Sequence, residues 1–141
     1  MMAKDVILRQ CSEDDIGAVL ELWLAAESTP SITDTRETLL TTINSAAASV
    51  ILAEVGGKIA GSIIAGFDGW RGNVYRLAVH PDFQRRGIAR RLVSGAETWL
   101  RGQGAKRVGA VVEKDHPWAT GFWDTTEFVL EPLDLRYVRN L

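Results

Sequence analysis

Apolar and polar residues along the chain follow two periods, one typical of β-strands and the other of α-helices. Short apolar runs rich in β-branched residues and bounded by turn residues predict five strands, at Val6–Arg9, Ser49–Val55, Lys58–Phe67, Val74–Val79 and Ala105–Glu113. Apolar residues spaced three or four positions apart predict helices that start after Ser12, near Asp34 and at Gly87. Gly56 and Gly57 tolerate the positive φ of a tight hairpin turn, so we expect the second and third strands to be antiparallel.

The long third helix connects two strands and thereby sets their relative direction. The strand that ends at Val79, the helix after Gly87 and the strand from Ala105 form a βαβ unit, in which the two strands run parallel. The earlier strands are joined by turns and should be antiparallel. We therefore predict an α/β (α+β) fold with a mixed, mostly antiparallel sheet flanked by helices. A length of 141 residues suits one core, so we expect a single domain over residues 1–141.

Composition and charge exclude several classes of function. The 16 basic and 18 acidic residues give a formal net charge of −2, which argues against a chain built for nonspecific nucleic-acid binding. The one cysteine, Cys11, has no partner for an internal disulfide and fits a reducing cytoplasm, with a core thiol favoured over a nucleophile. We see neither the apolar run of a signal peptide nor a stretch long enough to span a membrane, so we expect a cytoplasmic protein without membrane partners.

The junction between the fourth predicted strand and the long helix carries the features of an anion site. His80-Pro81-Asp82 breaks the strand, because proline cannot donate to a ladder and aspartate favours turns. The first amides of a helix lack intrahelical partners and, together with the helix dipole, favour a phosphate, and Gly87 lets a ligand approach the backbone closely. The alternative is an ordinary basic helix start with a turn glycine. The nearby positive charges come from Arg85, Arg86, Arg90 and Arg91.

These residues also resemble a known family. The loop Gln84-Arg85-Arg86-Gly87-Ile88-Ala89 is similar to the Gln/Arg-x-x-Gly-x-Gly/Ala loop of the GNAT superfamily of N-acetyltransferases, and the blocks on either side resemble the same family. A further block, Asp115–Phe128, resembles the family's Asn-x-x-Ala-x-x-Phe-Tyr-x-x-x-Gly-Phe pattern, so the resemblance covers about residues 74–128. It implies a GNAT-like fold whose two parallel strands splay apart, and an N-acetyltransferase that uses acetyl-CoA.

The resemblance implies that main-chain groups bind acetyl-CoA. Amides of the loop would hold its pyrophosphate, and the strand Leu77–Val79 would pair with its pantetheine arm. The residues that the resemblance assigns to acetyl-CoA binding are Leu77, Ala78, Val79, Gln84, Arg85, Arg86, Gly87, Ile88, Ala89, Arg90, His116 and Trp123. We expect no metal ion.

Three residues depart from the family pattern. His116 stands where the family often has an asparagine that contacts the pantetheine arm, and an imidazole can also hydrogen-bond there. Glu127 replaces the glycine that usually ends this helix, so we expect the helix to end differently. Trp123 replaces the usual general-acid tyrosine, and an indole N–H donates a hydrogen bond but supplies no proton. Tyr75 and Tyr137, the two phenols of the chain, do not occupy the matching position.

The resemblance implies direct attack of a neutral amine on the acetyl thioester. A backbone N–H near Val79 would stabilise the oxyanion, and a thiol with a pKa of about 8.5 gives a thiolate that leaves without a strong acid. An aliphatic ammonium has a pKa of about 10, so a base must take its proton. The preferred base is Glu113, which lies at the end of the last predicted strand and acts through water. Its side chain is expected on the same sheet face as that of Val111, two residues earlier in the strand. The alternatives are a solvated Glu113 and a proton relay through His80.

The acceptor is less sharply defined than the acetyl donor. We expect a small primary amine or an amino-acid-like metabolite, with a protein N-terminus or a lysine as the alternative. Glu27 and Asp34 lie in the region that covers the acceptor site in the resembled family, where they either attract a cationic amine or are solvated. Trp23, on the preceding helix, is expected in the core, with a platform for the substrate as the alternative.

We expect a monomer or a homodimer. Two alternative functions of a different class remain open. The first is a noncatalytic acetyl-CoA-binding module, which the absence of a tyrosine at position 123 allows. The second is a nucleic-acid patch, which would show a steep salt dependence of binding. The arginines of that patch would be Arg85, Arg86, Arg90, Arg91, Arg101 and Arg107.

Overall fold

The computed structural model describes residues 5–141, and its backbone forms two compact parts, one ending at Val111 and the other running from Val112 to Leu141. The first part contains the strands β1 Val6–Gln10, β2 Ala48–Val55, β3 Lys58–Phe67, β4 Gly72–Val79 and β5 Val108–Ala110. They form one sheet in the order β1-β2-β3-β4-β5, antiparallel throughout except for the parallel pair β4 and β5. The predicted mixed, mostly antiparallel sheet is confirmed, whereas a single domain over residues 1–141 stays a prediction.

The described residues form four α-helices, three of them in the first part. They are α1 Ile16–Ala25, α2 Arg36–Ile43, α3 Ile88–Gln103 and, in the second part, α4 Ala119–Trp123. The helix α2 starts after Thr35, whose hydroxyl accepts a hydrogen bond from Thr38 N at 3.2 Å. The helix α3 is capped at its C-terminus by Gly104, whose φ of +96° gives a left-handed stop. Within residues 5–141, no helix has the length and apolar character needed to cross a bilayer.

The sheet of the first part carries helices on both faces, because successive side chains of a strand alternate between the faces. On one face, α1 and α2 bury an apolar cluster that includes Val19, Trp23 and Leu39. Trp23 is 4% exposed, which confirms its predicted place in the core. On the other face, α3 packs so closely on β3 that a Cβ at Gly61 would lie 2.9 Å from Leu92 Cδ1. This contact fixes α3, and hence its N-terminus, relative to the end of the sheet.

The strand β5 is much shorter than the predicted strand over Ala105–Glu113. It pairs with β4 at three positions, the last of which joins Val74 and Ala110. The following Val111 is 50% exposed, and β-branched residues favour a strand only where a neighbouring strand and packing support them. Glu113 therefore lies in a loop three residues beyond β5, and its predicted strand parity with Val111 does not apply.

An ion pair connects β1 to the turn that opens α1. Arg9 donates to both carboxylate oxygens of Asp15, at 2.7 and 2.9 Å, and Ser12 N donates to Asp15 Oδ2 at 2.8 Å. These contacts hold the pKa of Asp15 well below its usual range, and the hydrogen bond from Arg9 is the largest cause. The carboxylate is 14% exposed, so the pair is partly shielded from solvent.

We expect Asp15→Asn to lower the free energy of unfolding at neutral pH by about 1–3 kcal/mol, because charge-assisted hydrogen bonds are lost at a partly exposed site. Since the pKa of Asp15 is lower in the folded state, its contribution is complete above the unfolded value of about 3.9 and is lost as the pH falls below it. Urea unfolding at about pH 7, 5 and 3 should therefore show a gap between variant and wild type that narrows only at the lowest pH. The prediction is wrong if Asp15→Asn unfolds with the free energy of the wild type, or if its loss of free energy equals that of the exposed control Asp14→Asn.

Candidate functional site

One edge of β4 has no neighbouring strand over its second half. The strand β5 pairs with β4 only as far as Val74, so among the described residues no strand continues the ladder towards Val79. On the opposite edge, His80 N donates to Ala60 O at 2.8 Å. Because successive N–H groups of a strand point to opposite edges, the N–H of Val79 points to the edge that β5 leaves uncovered. This is the direction that the predicted role of Val79 requires.

A β-bulge bends β4 just before this uncovered edge. The register of β3 against β4 shifts between Ser62 and Ile64, so that Arg76 and Leu77 together oppose one residue of β3. Arg76 has a φ of +52°, and within the described chain it is the one non-glycine residue inside a strand with a positive φ. Bulges and strained residues of this kind redirect neighbouring groups. The bulge therefore sets the direction of the main-chain groups that follow it.

The start of α3 is exposed, and no side chain caps it. Gly87 is the N-cap, with a φ of +75°, and a Cβ added to it would meet nothing within 4 Å. Arg91 N donates to Gly87 O at 3.2 Å, so the amides of Ile88 and Ala89 precede the first intrahelical hydrogen bond. Arg85 is also left-handed, with a φ of +63°, and left-handed residues in such a loop turn successive N–H groups into an anion-binding concavity.

The arginines near this helix start differ in what they contact. The guanidinium of Arg86 lies over the Phe83 ring, with Cζ 5.3 Å from the centroid. Arg91 instead donates Nη1 to Val6 O at 2.7 Å, which directs its side chain towards β1. The 16 residues of α3 span about 24 Å, which separates Arg101 from the loop arginines and argues against one basic patch for nucleic acid.

His80 and Cys11 both have local structural roles. His80 Nδ1 accepts a hydrogen bond from Asp82 N at 3.1 Å and caps the 3-10 turn Pro81–Phe83, as turn chemistry predicts. Cys11 is 6% exposed in the apolar cluster, and burial raises the pKa of its thiol to about 11. The thiol therefore stays protonated at neutral pH, which confirms the expectation of a core residue rather than a nucleophile.

Ten of the predicted acetyl-CoA residues lie on β4, on the loop after it or in the first turn of α3; they are Leu77, Ala78, Val79, Gln84, Arg85, Arg86, Gly87, Ile88, Ala89 and Arg90. Ile88 and Ala89 are 1% and 8% exposed as whole residues, so their side chains belong to the core and are not available to a ligand. The geometry therefore fits an anion held mainly by backbone amides.

Aromatic side chains dominate the compact part from Val112 onward. His116 Nδ1 accepts a hydrogen bond from Trp118 N at 3.3 Å, and Trp118 stacks on Phe122 with ring centroids 5.3 Å apart. Trp123 packs edge-to-face against Phe122 at 5.4 Å. The aromatic contacts fix the Trp123 ring, so its N–H is a directed donor.

The helix of this part ends differently from the family pattern, as Glu127 in place of the usual glycine predicts. The helix α4 stops at Trp123, and Glu127 is not among the non-glycine residues with a positive φ, so no left-handed cap forms there. Thr126 follows α4, and its hydroxyl donates to Trp123 O at 2.6 Å. Glu113 has an exposed side chain and its carbonyl accepts from His116 N at 3.3 Å.

The loop between α1 and α2 holds a carboxylate that the sequence left ambiguous. Asp34 accepts hydrogen bonds from Arg76 Nη2 at 2.7 and 2.9 Å and from Ser31 N at 3.0 Å. Neither sequence-based alternative, an amine attractor or a solvated acid, describes a carboxylate that is paired with an arginine and 21% exposed. Glu27 is exposed, with a φ of +60°. Arg76 was missed by sequence reasoning, although it is the one charged residue within Gly72–Val79.

Comparison of the sequence with known families gives a direct match. The model of the acetyltransferase (GNAT) family matches residues 17–128. An acetyltransferase of Pectobacterium atrosepticum is 34% identical over 121 residues, which are 86% of this chain and 86% of that protein. An acetyltransferase of Sodalis glossinidius is 31% identical over 124 residues, covering 88% of this chain and 87% of that protein.

Comparison of the fold with solved structures agrees. The PaiA N-acetyltransferase of Thermoplasma acidophilum, in complex with coenzyme A, superposes with a TM-score of 0.81 at 17% identity, covering 92% of this chain and 93% of that chain. An aminoglycoside acetyltransferase from an uncultured soil metagenomic sample, in complex with sisomicin, gives a TM-score of 0.78 at 21% identity, with 96% of each chain covered. At these identities the likeness shows a shared fold.

Proposed function

The chain belongs to the acetyltransferase (GNAT) family, and we propose that it transfers the acetyl group of acetyl-CoA to a small primary amine by direct attack in a ternary complex. Family membership makes the protein an acetyltransferase, while the donor, the acceptor and the residue roles belong to the proposal. The family match at residues 17–128 runs across the boundary between the two compact parts, which supports one acetyltransferase domain over residues 1–141.

One observation carries the proposal: the start of α3, which follows the uncovered edge of β4 in the chain, is open. The N-cap Gly87 leaves open space where a side chain would stand, and the amides of Ile88 and Ala89 precede the first intrahelical hydrogen bond. A pyrophosphate placed there would meet these amides, the helix dipole and the charge of Arg85 and Arg86. The coenzyme A bound to the Thermoplasma acidophilum relative supports acetyl-CoA as the donor.

The uncovered edge of β4 suits the thioester end of the donor. An extended pantetheine arm would add to that edge through main-chain groups of Leu77 to Val79, as a further strand does. The N–H of Val79 would then donate to the carbonyl oxygen of the acetyl group. When the amine nitrogen bonds to the carbonyl carbon, negative charge grows on this oxygen and strengthens that hydrogen bond. Collapse breaks the carbon–sulfur bond and releases the thiolate, while the nitrogen loses its second proton to water.

Proton transfer is assigned to residues of the second part. A primary ammonium must lose one proton before it attacks, and Glu113 takes it through a water molecule. The thiolate is a tolerable leaving group, because its conjugate thiol has a pKa of about 8.5. Trp123 donates a hydrogen bond from its indole to the departing sulfur but supplies no proton. His116 contributes a hydrogen bond to the pantetheine arm.

A thiol-release assay tests the proposal directly. Purified protein is given acetyl-CoA and, separately, ethanolamine, spermidine, L-lysine and a tetrapeptide with a free N-terminus. We expect release of free thiol that depends on one of the three small amines, with an equal amount of acetylated amine detected by mass spectrometry. Release with the peptide alone would replace the small-amine acceptor by a protein N-terminus. Binding of acetyl-CoA without release by any amine would overturn the proposed reaction.

A further inference from the structure

A buried polar network within residues 5–111 joins α1, β3, β4 and the loop before α2. Trp23 Nε1 donates to Ser62 Oγ at 2.9 Å, and Ser62 Oγ donates to Arg76 O at 2.9 Å. The Arg76 guanidinium lies over the Trp23 ring, with Cζ 4.9 Å from the centroid. Its Nη2 donates to both carboxylate oxygens of Asp34, at 2.7 and 2.9 Å. Arg76 thus holds the bulge through its carbonyl and the loop through its side chain.

The pair of Arg76 and Asp34 differs from an ordinary surface ion pair, because its side chains are largely buried and the backbone of Arg76 is strained. Ser62 is fully buried, and the side chains of Arg76 and Asp34 are 17% and 21% exposed. Charged groups removed from water are costly unless their partners satisfy them. Arg76 also keeps a left-handed backbone inside a strand, and such strain persists where the surroundings over-determine it, most often at functional sites.

We propose that Arg76 is a positioning residue for acetyl transfer, which holds the loop of residues 26–35 beside β4 and fixes the bulge that aims the amides of Leu77 to Val79. The inference rests on the proposed function, because it assigns this loop to the acceptor side of the reaction. Arg76 transfers no proton in the reaction and touches no reacting atom. It sets the distance between the surface that receives the acceptor and the strand that receives the thioester.

The position of Arg76 explains why the loop belongs to the acceptor side. An amine must reach the flat thioester carbon from one of its two faces, and the thioester is proposed to lie along the uncovered edge of β4. Arg76 contacts Trp23 and Asp34, so its side chain lies on the sheet face covered by α1 and α2. The loop that it holds therefore lies beside the reacting edge. Misplacement of the bound amine by about 1 Å can lower the rate about 100-fold.

The variants separate the two links that Arg76 makes. Asp34→Asn keeps an oxygen for Ser31 N but removes the charge that Arg76 pairs with, so it releases the loop and leaves the bulge intact. Arg76→Asn breaks the link to Asp34 while keeping a residue type that tolerates the left-handed backbone. The matched control is Glu13→Gln, which removes an ion pair to Arg36 at 3.1 Å whose side chains are 60% and 59% exposed.

Amide hydrogen exchange followed by mass spectrometry gives the first test, with each protein in its ligand-free form. We expect exchange in residues 26–35 to be about tenfold faster in Asp34→Asn than in the wild type or in the Glu13→Gln control. Exchange should be faster in Arg76→Asn both there and at Ala78, whose N–H points towards β3 like that of His80. Equal exchange of the loop in Asp34→Asn and the control would overturn the proposal, even if Arg76→Asn does not fold.

Steady-state kinetics gives the second test, with whichever of the four screened amines the wild type acetylates fastest. We expect Asp34→Asn to raise the KM of the amine about tenfold and to leave the KM of acetyl-CoA within about twofold. An equal rise in both KM values, or none in either, would overturn the positioning role while leaving the acetyltransferase reaction established. If the wild type acetylates none of the amines, the proposed function fails, and the exchange experiment still decides whether Arg76 holds the loop.

Discussion

We expect a Gly87→Leu variant to fold and to bind acetyl-CoA roughly 100-fold more weakly than the wild type. The reason is the open space at the start of α3, since a Cβ on Gly87 meets no atom within 4 Å and the new side chain would stand where the pyrophosphate docks. Loss of two charge-assisted hydrogen bonds, at about 1.5 kcal/mol each, corresponds to roughly 100-fold in affinity. Isothermal titration calorimetry with acetyl-CoA measures the change.

The control for this variant separates backbone strain from the lost contacts. Gly57 has a φ of +79°, close to the +75° of Gly87, and a Cβ there also meets nothing within 4 Å, but it lies in the turn between β2 and β3. Gly57→Leu should lower the melting temperature to a similar degree and leave the affinity for acetyl-CoA unchanged. An unchanged affinity in Gly87→Leu, or an equal loss in both variants, would remove the helix start from the binding site.

The second large effect is expected from Glu113→Gln, as a fall in kcat/KM of about 100-fold near neutral pH. At that pH nearly all of a primary amine is protonated, because its pKa is about 10, and glutamine cannot accept the proton that must leave. As the pH approaches the pKa of the amine, free amine becomes abundant and the base is no longer needed. The deficit should therefore shrink to a few-fold at about pH 10, which a pH profile of kcat/KM measures.

A matched substitution in the same compact part tests whether the position matters. Glu127 is exposed, and Glu127→Gln makes the same chemical change without removing the proposed base. Its pH profile should coincide with that of the wild type. If Glu113→Gln lowers kcat/KM by the same factor at every pH, or not at all, then Glu113 is not the base and the proton leaves by another route.

The elements that local patterns determine were predicted closely. The strand β3 spans Lys58–Phe67, as its apolar run and flanking turns indicate, and Gly56 and Gly57 both adopt the positive φ expected of the preceding hairpin turn. The change from strand to helix around Gly87 was equally readable, because the glycine and the apolar stripe of α3 lie next to each other in sequence. Such features depend on neighbours within a few residues.

The features that the sequence did not reveal depend on distant contacts. Arg76 and Asp34 are 42 residues apart, and no periodicity connects a charged residue in a strand to a carboxylate in a loop. The contact of Arg91 with Val6 spans 85 residues and ties to β1 a side chain that the sequence placed at the helix start. The early end of β5 has the same origin, since pairing with β4 stops at Val74 although the β-prone sequence continues.

Main-chain amides at the start of α3 are proposed to hold the pyrophosphate of acetyl-CoA, and amide resonances of the ¹⁵N-labelled wild type test this role. Titration with acetyl-CoA should shift the resonances of Gly87, Ile88 and Ala89 in a saturable way. S-Acetylpantetheine, which has the same thioester arm but no pyrophosphate, should leave these three resonances unchanged. Saturable binding of acetyl-CoA with no shift at Gly87, Ile88 or Ala89 would contradict the claim.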